Sequence, residues 1–331
     1  MRSAVFLGGL AACALATLAL APHWGAVPID GWAEAQRWLG PSEAWTGDTK
    51  IFAMRVARVA LGFLAGGALA CAGAVLQTLL RNGLATPYTL GIASAGSFGA
   101  FLVLAFPTAW FATQLGATLG ALLFAFASLA LVLALARRSR RVDGLLLAGI
   151  TLNFLFGAGV MLVRYLADPL RLAAMERWML GSIEALHLGD AGQLLAWVGP
   201  PLVLLFLLAR ELDQLAFDEE LAAARGVAVL RTRKLGLFAA GLLTAAVVAR
   251  TGPIGFVGLL VPHAVRFGTG LRHRALLLGC FLAGGSLLVL ADLLARSLAI
   301  GGRSSELPVG ILTALIGGPC FLALLLRRST R

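Results

Sequence analysis

The feature that most constrains this chain is a series of apolar runs, each long enough to cross a lipid bilayer, that recurs from one end to the other. The runs lie near 4–21, 56–80, 90–107, 112–136, 144–166, 192–209, 234–251, 254–270, 274–298 and 308–326. A helix rises about 1.5 Å per residue, so roughly twenty residues cross the hydrocarbon layer. Lipid offers the backbone no hydrogen-bond partners, so an open sheet would leave its edges unpaired there. The expected fold class is an all-α polytopic membrane protein with about ten transmembrane helices per subunit, several broken by Gly and Pro. A hydrophobic content of 60% and a mean hydropathy of +0.90 agree with it. The run 254–270 is the most interrupted, by Pro253, Pro262 and glycines.

The net charge of +11 could point to nucleic acid, but its distribution points to a membrane. Arg2, the group Arg137, Arg138, Arg140 and Arg141, the group Arg231, Arg233 and Lys234, Arg272 with Arg274, and the terminal Arg327, Arg328 and Arg331 fall on one face if the spans number ten. Asp30, Glu34, Glu43, Asp48, Glu176, Glu184 and Asp190 fall on the other. Positive loops stay inside, so both termini are expected in the cytoplasm, in a multi-pass bacterial inner-membrane protein without nucleic-acid partners. The N-terminal run reads as the first span. Cleavage after Ala21 would leave an odd number of spans and spoil the charge asymmetry. The cysteines Cys13, Cys71, Cys280 and Cys320 lie apart in apolar runs and read as small core residues, with no metal site.

No composition shift marks a second domain, so residues 1–331 read as one transmembrane domain. The outer loop 22–53 carries Trp24, Trp32, Trp38 and Trp45, and a short helix capped by Asp30 is expected there, lying at headgroup level. Gly62-x-x-x-Gly66 and Gly116-x-x-x-Gly120 allow close helix packing. Glycine and proline cluster in 81–91, 251–263 and 304–310. Broken helices at membrane depth survive only inside protein or along a cavity, which favours a transporter over an anchor or scaffold.

Several chemistries are missing from the sequence. There is no phosphate-binding loop, and the two lysines, Lys50 and Lys234, stand in no such context. His263, after Pro262, reads as structural. An ion-coupled secondary transporter needs an ionisable group in mid-membrane, and Asp292 is the one good candidate. Arg296, one helical turn on, would hold it ionised and paired, which argues against coupling.

One polar stretch interrupts the greasy pattern. From Ala209 to Lys234 it carries acids and then bases. Asp218, Glu219 and Glu220 suit the first turn of a helix. Arg225 suits its last turn, and Gly226 its C-terminal cap. Leu215, Phe217, Leu221 and Ala222 supply an apolar side. So short a helix needs something to pack against, as a docking element for a soluble partner would have.

At these residues the sequence resembles the permease subunits of iron–siderophore, haem and cobalamin ABC importers (FecCD-type, type II importers). "LAFDEELAAARGV" is similar to that family's coupling helices, within 213–230 here. The resemblance extends over residues 55–100, 251–267, 291–296 and 306–328, with Gly83 where the family usually has proline. It implies a homodimer of ten-span subunits, two cytoplasmic ABC ATPase subunits that hold ATP and Mg, and a periplasmic binding protein. The chain itself would bind no cofactor or metal and catalyse nothing. It implies ATPase coupling by Asp218, Glu219, Glu220, Arg225 and Gly226, and a cytoplasmic gate at Asn82 and Leu84. Arg55, Arg58 and Arg296 would dock the binding protein. The expected cargo is a ferric siderophore moved by alternating access, with haem or cobalamin as the alternative and an ion-coupled transporter as the alternative class.

Overall fold

The computed structural model describes residues 2–25, 27–106, 114–138, 142–270, 272–298 and 306–329. Arg140, Arg141, Arg331, and Ser304 and Ser305 of the third glycine–proline cluster lie outside the described residues.

Among the described residues the regular structure is helical. In chain order the helices are α1 (Arg2–Leu20), α2 (Gly31–Trp38), α3 (Gly47–Leu79), α4 (Ile92–Ala105), α5 (Gln114–Arg138), α6 (Val142–Leu166) and α7 (Pro169–Met179). They continue with α8 (Leu188–Leu207), α9 (Ala209–Phe217), α10 (Glu219–Ala224), α11 (Val229–Thr251), α12 (Val257–Thr269), α13 (His273–Ser297) and α14 (Val309–Ser329). Each expected span meets a helix, but not each helix is a full span. Seven are long and apolar enough to cross a membrane: α1, α3, α5, α6, α8, α11 and α13. Shorter apolar helices are α4 and the segment Val309–Ala323 of α14. The run 254–270 is cut to the 13 residues of α12, which carries His263 and Arg266 and is preceded by a break at Gly252–Phe256. Gly252 and Phe256 both take positive φ there, so the helix cannot continue through them.

α3 is the axis of the bundle. It packs against α8, α11, α12 and α13, and the apolar part of it is almost wholly buried. Small residues set that arrangement. A Cβ on Gly66 would stand 2.2 Å from the Gly284 carbonyl of α13, and one on Gly99 would stand 2.1 Å from the Gly120 carbonyl. Any side chain at these crossings would push the helices apart. Hydropathy places the start of this span near 56, yet the helix begins at Gly47. Thr46 and Thr49 form a reciprocal cap that satisfies the first amides, so the helix starts in the polar turn Gly47–Lys50, ahead of the apolar run. At 33 residues it is about 50 Å long and joins the two ends of the bundle.

Two expectations change on packing. Cys71 and Cys280 are buried core residues, but Cys13 and Cys320 sit exposed on α1 and α14, where their helices turn no core-facing position to them. The outer-loop helix α2 does start at an Asp30 cap, whose carboxylate accepts from the Trp32 and Ala33 amides. It is docked onto protein rather than only anchored. Its Glu34 is buried and accepts hydrogen bonds from Thr49 and Arg37, and His23 packs between Trp32 and Phe52.

Candidate functional site at the two polar ends of the bundle

The end near the start of α3 holds a cavity of about 630 Å³. Arg55 and Arg58 enter it from α3, Arg250 from the end of α11, and Arg296 from the last turn of α13. The tertiary structure thus brings together the three arginines that resemblance singled out. It also commits them. Asp292, only 3% exposed, receives Nε and Nη2 of Arg58 at 3.0 and 2.9 Å and Nε of Arg296 at 3.1 Å. The i,i+4 pair read from sequence is present, and Arg58 joins it from 234 residues away. Arg58 also reaches Glu306 with Nη1, at 2.6 Å. Arg55 is buried and donates to the Val27 carbonyl, while Arg250 pairs with Asp190 at 2.9 Å. One buried nitrogen each of Arg250 and Arg296 has no acceptor among the described residues. Such a cluster is expensive to bury unless its charges are paired. Arg58, Arg250 and Arg296 have carboxylate partners, whereas Arg55 is held by a backbone carbonyl. Glu306 and Asp190 were the missed partners. Asp190 lies far in sequence from Arg250, and Glu306 far from Arg58, so no spacing signal marks these pairs.

At the other end, α9 and α10 form a bent pair between α8 and α11. The Asp218 carboxylate caps α10 by accepting from the Leu221 amide at 2.9 Å. Arg225 is the C-cap, and Gly226 takes φ +84°. The Gly226 and Val227 amides return to the Ala223 and Ala222 carbonyls, the double closure that a left-handed glycine permits. Start and stop fall one residue inside the limits the sequence set, with Asp218 capping the first turn instead of joining it and Arg225 following the last. The apolar side splits in two. Leu215 and Ala222 are buried against the bundle, while Phe217 is 68% exposed and Leu221 45% exposed. Glu220 and Arg225 are exposed beside them. Glu219 turns the other way, onto Arg233 of α11 and toward Arg81 at 3.9 Å.

Arg81 opens the turn that follows α3, with φ +45°. Asn82 then accepts the Leu84 amide on its side-chain oxygen at 2.8 Å, and the Ala85 amide on its carbonyl at 3.0 Å. That side-chain bond gives the turn a brace where the family's proline is replaced by Gly83. Leu84 itself is 47% exposed, while Ala85 and Leu90 on either side of the loop are buried. Behind the turn, His273 at the start of α13 bridges Asp213 of α9 and Thr78 of α3, at 2.8 and 2.9 Å. Burial pushes the Asp213 carboxyl up, and the His273 ring and amide outweigh it, so the group sits below its ordinary value and stays ionised. His263, read as structural, is buried with its ring against the Leu259 carbonyl at 2.9 Å. Among the described residues no group of acids, cysteines and histidines could hold a metal ion.

Comparison with known proteins bears on both ends. The profile of a family described as the FecCD transport family matches residues 11–327. The hemin transport system permease HmuU of Yersinia pestis is 37% identical over 83% of this chain and 82% of that protein. The vitamin B12 import system permease BtuC of Vibrio cholerae is 38% identical over 88% of this chain and 87% of that protein. A solved structure described as an inward-facing conformation of a metal-chelate type ABC transporter superposes with a TM-score of 0.83 at 31% identity, covering 97% of this chain and 99% of that one.

Proposed function

Because the chain belongs to the FecCD transport family, we propose that it moves a tetrapyrrole-type metal chelate, haem or cobalamin, inward across the inner membrane by alternating access. It is a permease subunit of a type II ABC importer of metal chelates, and permeases of this kind hydrolyse no ATP. They work as pairs, with a cytoplasmic ABC ATPase that holds the nucleotide and a periplasmic binding protein that delivers cargo. The observation that carries the cargo class is the likeness to hemin and vitamin B12 permeases over more than four fifths of the chain. It moves the reading from a ferric siderophore toward its alternative. The test is uptake by proteoliposomes holding the permease, its ATPase and its binding protein, offered hemin, cyanocobalamin and a ferric hydroxamate separately. ATP-dependent uptake of hemin or cobalamin is expected. Uptake of the hydroxamate alone would reject the tetrapyrrole class.

The site roles belong to the same proposal. The ten-span count, the single domain over 1–331 and cytoplasmic termini fit it, with α4, α12 and α14 as the short crossings. Asp218, Glu219, Glu220, Arg225 and Gly226 build the ATPase-coupling helix, supported by the exposed Phe217–Leu221 patch. Arg55, Arg58 and Arg296 serve the binding protein, with Glu306 the exposed carboxylate that an incoming acid would replace on Arg58. Asn82 and Leu84 form the cytoplasmic gate, supported by an exposed leucine on a braced turn. Leu84→Ala should then make nucleotide-free liposomes leak small solutes. A tight but inactive variant would mean that Leu84 only packs.

A further inference from the structure

The last turn of α3 leads directly into the turn at Asn82–Leu84, and two polar links tie it to the α9–α10 pair. One runs inward from a partly exposed acid: Asp213 of α9, 33% exposed, is joined to His273 of α13 and Thr78 of α3, both buried. The other is at the surface, where Glu219 of α10 reaches Arg81, the residue before Asn82. α9 also packs on the bundle through the apolar side chains of Ala209, Leu212 and Leu215. Apolar contacts are non-directional and let one helix slide on another, whereas hydrogen bonds at these lengths fix register.

The proton count supports a rigid chain. The Asp213 carboxylate is acceptor-only, so Nδ1 of His273 must carry the proton between them. The His273 amide donates to the same oxygen. Nε2 then either accepts from the Thr78 hydroxyl or, when protonated, donates to it. In the second case the hydroxyl turns to the Ala74 carbonyl, which is 3.1 Å away. Each arrangement leaves every member bonded, so His273 holds α9 and α3 together in both ring states.

We infer that Asp213, His273 and Thr78, assisted by Glu219 and Arg81, are positioning residues that deliver movement of the α9–α10 pair to the turn at Asn82–Leu84. The inference rests on the coupling and gate roles proposed above. Docking of a partner on the exposed Phe217–Leu221 face shifts α9 and α10, the chain pulls the last turn of α3, and the turn beyond it follows.

The test uses the whole importer in proteoliposomes and reads cargo moved per ATP hydrolysed. Thr78→Val removes the hydroxyl at nearly constant volume, Asp213→Asn removes the charge, and Thr78→Ser restores the hydroxyl. Each of the first two should lower the ratio by about threefold to thirtyfold, the range typical of linking residues. The Thr78→Val/Asp213→Asn double variant should fall no further than the worse single one, because both break one chain. Thr78→Ser should stay close to the unaltered protein, and basal hydrolysis and co-purification of the ATPase should be unchanged in all of them. Unchanged ratios in both single variants would overturn the inference. So would losses that multiply in the double variant, or a Thr78→Ser as defective as Thr78→Val, which would mark packing alone. If the unaltered permease retained no ATPase, the coupling role itself would fall, and this inference with it.

Discussion

Glu220→Arg is expected to abolish most cargo uptake while leaving the permease inserted, dimeric and folded. The side chain is exposed on α10 and makes no ion pair within the described chain, so its reversal alone should change stability by less than about 0.5 kcal/mol. Against a partner groove the same reversal places like charges together at an interface, which costs several kcal/mol. A loss of about 3 kcal/mol in productive engagement corresponds to more than a hundredfold in the docked population. The measurement is uptake and ATP hydrolysis side by side in proteoliposomes, with a thermal melt as the control for folding. Coupled uptake within twofold of the unaltered importer would remove Glu220 from the coupling surface.

Asp292→Ala should produce the largest loss of stability of any single change at the opposite end. Its carboxylate is the shared counterion of Arg58 and Arg296, and all three are largely withdrawn from solvent. Its removal leaves Arg296 buried without a carboxylate and Arg58 with Glu306 alone, and breaking a buried pair in this way costs about 3–5 kcal/mol. Glu306→Gln is the matched comparison. Glu306 also pairs with Arg58, but it is 43% exposed, so water replaces it at roughly 1 kcal/mol or less. Thermal unfolding in detergent should separate the two variants by several degrees. Equal shifts would show that burial does not set the strength of this cluster.

That cluster also bears on docking. A binding protein that met Arg58 and Arg296 would find both already bonded to Asp292, so a partner carboxylate would have to compete for what Asp292 leaves free. Glu306 is the weaker and more exposed of the two acids on Arg58, and is the one an incoming group would displace.

Much of this architecture was legible in the residues. Lipid forbids unpaired backbone, so long apolar runs can only be helices, and every expected run met one. The Asp218 start and Gly226 stop of α10, and the Asp30 start of α2, were equally readable, to within a residue. Caps are local, and a side chain reaching its own backbone three residues on depends on nothing distant. The Asp292–Arg296 pair was visible for the same reason, as neighbours one helical turn apart.

What the tertiary structure alone decided is long-range or depends on packing. Hydropathy could not find the polar start of α3 at Gly47, because a cap and not an apolar run sustains it. The glycines and prolines of 251–263 did announce a break before α12, and the structure adds its placement, at the positive φ of Gly252 and Phe256. Arg58 meeting Asp292, Arg250 meeting Asp190, and His273 bridging Asp213 to Thr78 all join residues far apart in the chain. No spacing rule reaches across that distance. The contacts between α3 and α13 rest on Gly66 and Gly284, whose lack of side chains lets the two helices approach until their polar ends touch.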